Sequence, residues 1–318
     1  MTTFAGFPRL GLMTAPAVFW PTLLGLSFLA AGIITYRSEL RAPTSLRTFG
    51  LVALGPMLVA ASLAAFAGEH FTAAASLAGL VPKWLPARLF IAYFVGVAHL
   101  AAASSFVARR YIRWSAFFLA VMFALFVLLM DLPAAVAHPT NRIFWILAAR
   151  ETTFAIGALA LCGSATTERW PQAATRLAAI ARIWIASVLV FYGIEHVLHP
   201  EYTPGVPSSA LTAAWLPLPL GVAYATGILL IGCGIAMLGG RYASSAAALC
   251  GTLMVALTLA LYVPQFFLAR NTSQQVTAIN FVFDTLLFAG MMFAISGVIA
   301  NTDSQVSARS REASVFAT

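Results

Sequence analysis

Long apolar runs, separated by short polar segments, recur along the whole chain. Each run has about 20 residues and is long enough to cross a hydrocarbon core of roughly 30 Å. Strands of a membrane barrel would be about half as long and would alternate in polarity, whereas these runs are continuously rich in Ala, Leu and Phe. The pattern therefore predicts an all-α polytopic membrane protein. The nine predicted spans are 14–35, 48–70, 87–108, 114–132, 143–164, 176–197, 215–238, 243–266 and 277–299.

Composition supports a membrane protein and excludes a water-soluble globule. Only 9 % of the 318 residues are charged and 61 % are hydrophobic, with a mean hydropathy of +0.90. A soluble domain carries roughly 25 % charged residues. The lipid bilayer is therefore the predicted environment of most of the chain.

The net charge of +8 does not indicate nucleic-acid binding, because the basic residues form no single face or tail. Nearly all of them lie between or at the ends of the predicted spans, where they indicate how the chain is oriented in the membrane. Twelve of them fall on one side of the predicted membrane and five on the other. Since basic loops stay in the cytoplasm, we predict a cytoplasmic-membrane protein with its N-terminus outside and its C-terminus in the cytoplasm. The twelve are Arg37, Arg41, Arg47, Arg109, Arg110, Arg113, Arg169, Arg176, Arg182, Arg241, Arg309 and Arg311; the five are Arg9, Lys83, Arg88, Arg142 and Arg270.

The two ends of the chain raise separate questions. The first apolar run is either a cleaved signal peptide or a retained helix. Its length, its two prolines and the lack of a small-residue cleavage site favour a retained helix. The polar segment 301–318 is predicted to be a disordered cytoplasmic tail.

An internal duplication divides most of the chain into two units. Each copy has four spans, and because four is even, both copies enter the membrane in the same direction. We therefore predict an extra N-terminal helix in 1–45, unit 1 in 46–170 and unit 2 in 171–300, related by an approximate two-fold axis along the membrane normal. The matches are Glu69-His70 with Glu195-His196 (126 apart), Trp84-Leu85-Pro86 with Trp215-Leu216-Pro217 and Arg110-Tyr111 with Arg241-Tyr242 (131 apart), and Glu151 with Asp284 (133 apart).

The repeated unit resembles the DoxX/DoxD family of small bacterial membrane proteins. The resemblance depends on the Glu-His end of the first helix, the Trp-Leu-Pro loop, the Arg-Tyr turn and an acid early in the fourth helix. That fourth helix reads ARETTFAIGALAL (149–161) in unit 1 and VFDTLLFAGMMFA (282–294) in unit 2. This chain departs from the family pattern in two ways. Phe283 replaces the family's arginine in unit 2, and this chain has two units whereas most members have one. The resemblance implies a membrane subunit beside a redox partner protein, with a quinone as the possible cofactor.

Ionisable side chains inside the predicted spans are the main candidates for function. One such group at the bilayer centre costs about 2.5–3.5 kcal/mol on insertion scales, so it needs a partner or a purpose. Glu151 and Asp284 lie roughly 12 Å deep at 1.5 Å per residue. Arg150 is about 100° around the helix from Glu151, so each is expected to favour a partner on another helix. His99 lies near mid-membrane, where unit 2 has Leu230, and Asp131 lies near the outer end of its span.

We predict two polar pockets that open outward, one in each unit. A carboxyl group beside a histidine can take up and release protons, which suits a quinone headgroup or a proton-coupled solute. The alternative is that these groups pair with one another and only fix helix register. The predicted pockets contain Glu69, His70, Arg150 and Glu151 in unit 1 and Glu195, His196, His199 and Asp284 in unit 2, and His99 is a further candidate.

Other chemistries have little support in the sequence. His196 and His199 share a helix face, and His70 and His196 lie at equivalent positions where they could hold one haem. Unit 1 lacks the second histidine, however, and there is no CxxCH or ExxH pattern, so no metal is predicted and haem is disfavoured. Cys162, Cys233 and Cys250 form no CxxC. No P-loop, dinucleotide fingerprint or serine elbow occurs.

Three functional hypotheses follow. The first is a membrane subunit of a quinone-linked oxidoreductase. The second is a carrier whose halves rock around Glu151 and Asp284, and the third is a non-catalytic lipid-binding or structural subunit. A carrier needs polar groups along its whole path, whereas the predicted groups cluster in one half of the membrane, which favours a one-sided pocket.

Overall fold

The structure is a computed structural model. It describes the backbone of residues 14–41, 52–165 and 170–315, and the side chains in these ranges as far as residue 304. Arg9, Arg47 and Arg169 of the charge count, and the predicted boundary between 45 and 46, lie outside the described residues. The side chains of Arg309 and Arg311 also lie outside them.

The described part of the chain contains nine helices that are long and apolar enough to span a membrane, and it has no β-strand. The all-α prediction is confirmed, and the protein is an integral membrane protein. Two short helices, Arg37–Arg41 and Ala74–Leu77, lie between spans. The long helices are α1 (Pro16–Thr35), α2 (Leu54–Thr72), α3 (Arg88–Ala108), α4 (Ile112–Ala137), α5 (Arg142–Ser164), α6 (Pro171–Leu198), α7 (Pro219–Gly239), α8 (Ala243–Leu268) and α9 (Thr272–Val315).

The ninth helix continues to Val315, well beyond the apolar stretch that ends at Ser304. Most of the tail that the sequence predicts to be disordered is therefore helical. Extending an existing helix adds one hydrogen bond per residue and avoids the unfavourable nucleation step. Polar residues can therefore continue a helix that they would not start alone.

Helix packing repeats between the two halves. Helices α2 to α5 (unit 1) pack in chain order, as do α6 to α9 (unit 2). The first helix of each unit also packs against the fourth helix of the other, α2 against α9 and α6 against α5. The fourth helices, α5 and α9, touch each other. The two units thus share an interface built from equivalent helices.

Contacts between α5 and α9 show that these equivalent helices run in the same direction. Arg150 meets Asp284, and further along both helices the rings of Phe154 and Phe288 lie 6.3 Å apart. A parallel pair of fourth helices means that the two units have the same orientation, as the even number of spans predicts.

Helix α1 lies outside the repeat and packs against α2 and α9. A methyl group at Gly68 would come 2.8 Å from the backbone of Pro21, so the glycine allows a close approach of α1 and α2. Tyr36 follows the last residue of α1, and its hydroxyl donates a hydrogen bond to the carbonyl of Phe106 at 2.9 Å. Arg109 stacks on the Tyr36 ring and pairs with Glu39. These contacts fix α1 to the turn between α3 and α4.

The third helix of each unit contains one widened, π-helical turn. These turns are Val127–Asp131 in α4 and Thr258–Tyr262 in α8, at equivalent positions, and a proline follows two residues after each. Proline has no N–H and clashes with the preceding turn, and a wider turn relieves both problems. Asp131 in unit 1 and Tyr262 in unit 2 are therefore structural equivalents.

Candidate functional site

Arg150 joins the two deep acids across the interface between the units. Its Nη1 donates to Asp284 Oδ2 at 2.6 Å, and its Nε and Nη2 donate to Glu151 Oε1 at 3.2 and 2.9 Å. Arg150 therefore bridges α5 and α9, and we call these three residues the Arg150 cluster. All three side chains are largely buried, with exposed fractions of 12–18 %. A guanidinium with several fixed donors suits two carboxylates better than an ammonium would.

Asp131, on the widened turn of α4, adds a further acid beside this cluster. It lies within electrostatic range of Arg150 and Glu151, and its buried Oδ2 has no hydrogen-bond partner among the described residues. One cation here faces three carboxyl groups. Because unpaired charges are costly inside a membrane, this site favours a bound proton or a hydrogen-bond donor.

Glu69 lies at the end of α2 and contacts α9. Asn280 Nδ2 donates to Glu69 Oε2 at 3.1 Å, whereas Glu69 Oε1 is buried and has no partner in the described structure. Asn280 and Asp284 are four residues apart on α9 and so share one face. Glu69 is also within electrostatic range of Asp284. Helix α9 thus connects Glu69 to the Arg150 cluster.

His70 and His99 form an imidazole pair beside Glu69, with ring centroids 5.5 Å apart. His70 Nδ1 lies 2.8 Å from the carbonyl of Ala92, so Nδ1 carries the proton and Nε2 is left as an acceptor. His99 is only 3 % exposed, and neither of its nitrogens has a partner among the described residues. We call Glu69, His70, His99 and Asn280 the Glu69 cluster.

The neighbours of His99 are aromatic. The ring centroids of Phe66 and Phe123 lie 5.9 and 6.2 Å from that of His99. Gly96 makes the close approach of α2 and α3 possible, since a methyl group there would come 2.7 Å from His70 Cβ. The site therefore has mainly apolar walls and a few polar atoms without hydrogen-bond partners. Binding sites for small organic ligands typically have this combination.

The equivalent residues of unit 2 are almost completely paired. Arg142 Nη1 donates to Glu195 Oε2 at 2.7 Å. His196 Nδ1 donates to the carbonyl of Tyr192 at 2.7 Å, and its Nε2 accepts from the N–H of Gly205 at 2.9 Å. His199 lies at the end of α6, is 38 % exposed and sits 3.7 Å from Glu201. These contacts are those of a packed structural core.

The prediction of one pocket in each unit is wrong in its grouping. Asp284 does not join Glu195, His196 and His199, because its arginine partner lies on α5 of the other unit. Arg150 pairs with Asp284 on α9 and also with its sequence neighbour Glu151. We expected Arg150 and Glu151 each to pair with a residue on another helix and not with each other. The reason is that α5 and α9 pack directly against each other, so both acids lie within reach of one long side chain.

Several partners could not be identified from the sequence. Nothing in the sequence marks Asn280, Arg142, Tyr192 or Tyr262 as partners of the predicted site residues. The only signal was that unit 2 lacks the arginine beside its acid, which implies a partner for Asp284 from elsewhere.

Within the described residues, no group of three or more His, Cys, Asp or Glu side chains is arranged to hold a metal ion. The chain matches no family model, no curated protein and no solved structure. The site's own geometry therefore carries the functional argument.

Proposed function

We propose that this protein is the membrane subunit of a quinone-linked redox system and that unit 1 binds the quinone headgroup. The resemblance to the DoxX/DoxD family supports this class of function, with a separate redox protein as the electron-transfer partner. With the N-terminus outside a bacterial cytoplasmic membrane, the Glu69 cluster would face outward. Apart from α9, unit 2 has a structural role in this proposal.

The observation that carries the proposal is the buried, unpartnered state of His99 and Glu69 Oε1. A buried polar atom without a partner costs about 1–3 kcal/mol, so idle groups of this kind are rare in a folded protein. A quinone headgroup is flat and apolar and carries oxygens at both ends. It matches an aromatic surrounding with a small number of polar atoms.

Reduction of a quinone takes up two electrons and two protons. In this proposal the redox partner supplies the electrons. The carboxyl groups of Glu69, Asp284 and Glu151 exchange protons with the headgroup in this proposal, because they outnumber the one cation beside them, Arg150, inside the membrane. The protein contributes binding and proton exchange, and it needs no metal of its own for these roles.

We expect that purified protein carries bound quinone, and that His99→Leu lowers the quinone content about tenfold. Leucine is the residue that unit 2 has at the equivalent position, so this variant should fold. Loss of the polar contacts is worth roughly 1.4 kcal/mol, a factor of ten in affinity. The measurement is solvent extraction followed by oxidised-minus-reduced absorption spectra.

The matched control is His199→Leu, which removes a half-exposed histidine at the end of α6 and should leave the quinone content unchanged. If wild-type protein neither carries quinone nor binds added quinone, the proposal fails. It also fails if His99→Leu retains the wild-type amount.

A second candidate function, a carrier, is favoured by one observation. The Arg150–Asp284 pair crosses the interface between the units, where two rocking halves would separate. A carrier requires uptake of solute into sealed proteoliposomes, and that uptake should depend on Asp284. Under the quinone proposal, Asp284→Asn instead changes redox activity in membranes and no uptake is seen.

A further inference from the structure

We propose that unit 1 binds the reduced, dihydroxyarene form of its ligand, in the position that unit 2 fills with its own loop. This inference rests on the proposed function, because it specifies which redox form of the quinone the site prefers. The internal duplication supports the inference. In unit 2 the equivalent position is filled by a loop of the chain, and the hydrogen-bonding groups of that loop indicate what a ligand in unit 1 would need.

The loop after α6 enters unit 2. Thr203, Pro204, Gly205, Val206 and Pro207 are all buried, although they lie between two membrane spans. Gly205 has a φ of +130° and packs where a methyl group would come 2.7 Å from the Tyr262 hydroxyl, so only glycine suits the position. We call residues 203–207 the inserted segment.

Three side chains hold this loop in place, two from unit 2 and one, Arg142, from α5 of unit 1. His196 Nε2 accepts from the N–H of Gly205 at 2.9 Å, and the Tyr262 hydroxyl donates to the carbonyl of Pro204 at 2.8 Å. Arg142 donates to the carbonyl of Ser208 at 3.0 Å, while it also pairs with Glu195. The loop therefore offers one donor and two acceptors.

The counterparts of these three residues in the repeat, two in unit 1 and one on α9, each have an atom without a partner among the described residues. His70 corresponds to His196, Asp131 to Tyr262 and Gln275 to Arg142, by the same spacings that relate the repeats. Asp131 Oδ2 and both amide atoms of Gln275 are buried and unpaired, with Gln275 only 1 % exposed. His70 makes one hydrogen bond, through Nδ1.

Among the described residues of unit 1, no inserted segment takes the place of this loop. The loop between α2 and α3 is five residues shorter, and of residues 73–87 only Ala74 is buried. None of the hydrogen bonds described for this loop reaches Asp131 or Gln275. An external ligand is therefore the occupant that matches these free atoms.

The free atoms specify the ligand's chemistry. His70 Nε2 accepts a hydrogen bond, so the ligand donates at this point. The Asp131 carboxyl group accepts a second hydrogen bond as a carboxylate or donates one as a carboxylic acid, and a hydroxyl group on the ligand meets either form. The amide nitrogen of Gln275 donates, and neutral His99 has one donor and one acceptor nitrogen, so the ligand also accepts. A hydroxyl group does both, whereas an ammonium group cannot accept and a quinone carbonyl cannot donate. A flat ring with two hydroxyls also suits the aromatic neighbours of His99.

The experiment compares a short-chain benzoquinol with the matching benzoquinone, by calorimetric titration of the purified full-length protein under anaerobic conditions. We expect the quinol to bind about tenfold more tightly, the effect of one or two additional hydrogen bonds. His70→Phe should remove this preference, because phenylalanine keeps the ring packing and loses the acceptor.

A second variant tests the site without removing a packed ring. Gln275→Arg introduces the residue that α5 has at the equivalent position, Arg142, and it should pair with Glu69 as Arg142 pairs with Glu195. We expect the thermal stability to be retained and quinol affinity to fall at least about tenfold. Ser273→Arg, at an exposed position on the same helix, is the control for added charge and should bind quinol normally.

The outcomes separate the two proposals. Equal affinities for quinol and quinone, or unchanged quinol binding by folded Gln275→Arg, would overturn this inference and leave quinone binding standing. Failure of the wild-type protein to bind either form would overturn the proposed function as well.

Discussion

Replacing Arg150 by methionine is expected to lower the free energy of unfolding by about 3–5 kcal/mol, the usual range for removing one partner of a buried ion pair. Methionine retains most of the volume of the side chain but leaves Asp284 and Glu151 without their only described cation. Both acids then have to be buried as unpaired charges or take up protons. The measurement is thermal or SDS-induced unfolding in detergent, followed by tryptophan fluorescence.

Two controls separate loss of charge balance from loss of packing. Arg109→Met breaks the pair with Glu39, in which both side chains are more than 40 % exposed, so it should cost at most about 1 kcal/mol. The triple variant Arg150→Met, Glu151→Gln, Asp284→Asn removes the charges together and should recover much of the stability, because neutral groups are cheaper to bury. A single Arg150→Met variant as stable as the wild type would show that this ion pair does not hold the units together.

The span pattern could be predicted because it depends on one property, the length of each apolar run. A run of about 20 residues in lipid has few alternatives to a helix. The orientation of the units followed from counting, since four spans per repeat bring both copies back to the same side. The parallel contact of Phe154 with Phe288 agrees with that count.

The pairing of the charged residues could not be predicted, because it depends on how each helix is rotated about its axis. Periodicity places Asp284 on a face of α9 but does not say that α5, from the other unit, packs on that face. Asn280 illustrates the same difficulty, because its partner Glu69 is 211 residues away in the sequence. Contacts between distant helices are set by packing of the whole bundle.

The fate of the loop after α6 was also beyond sequence reasoning. Its five extra residues and its Thr-Pro-Gly-Val-Pro stretch, 203–207, are typical of an exposed turn. Burial becomes possible because Tyr262, His196 and Arg142 provide partners for its backbone. Buried polar backbone requires such partners, so the inserted segment and its three side chains belong together.

The duplication therefore acts as an internal comparison. The two units share helices, widened turns and the Glu-His pair, yet the free polar atoms that define the candidate site are in unit 1 and on α9, where it packs against unit 1. This division argues against a purely structural role for both copies, because identical structural demands would leave similar contacts. Under the proposed function, the same division accounts for the difference between Leu230 and His99 at equivalent positions: unit 2 is filled by its own loop, and unit 1 would keep polar groups for a ligand.

Gly193→Ala is expected to destabilise the protein by about 1–3 kcal/mol, the usual range for overpacking a well-packed core. A methyl group at Gly193 would lie 2.6 Å from the carbonyl oxygen of Gly227 and 2.5 Å from Ile231 Cγ1, so α6 and α7 would have to move apart. These two helices position His196 and the inserted segment. The variant should therefore lower the thermal midpoint in detergent and increase proteolysis of the loop after α6.

Gly232→Ala is the matched control on α7. Apart from its chain neighbours and the backbone of its own helix, no atom of the described residues lies within 4 Å of the position that its methyl group would take. Alanine is favoured over glycine inside a helix by about 1 kcal/mol, so this variant should be as stable as the wild type or more stable. If both glycine variants behave alike, close helix contact is not what holds α6 against α7, and the inserted segment must itself bind the two helices together. Cleaving the loop after α6 would then destabilise the protein more than Gly193→Ala does.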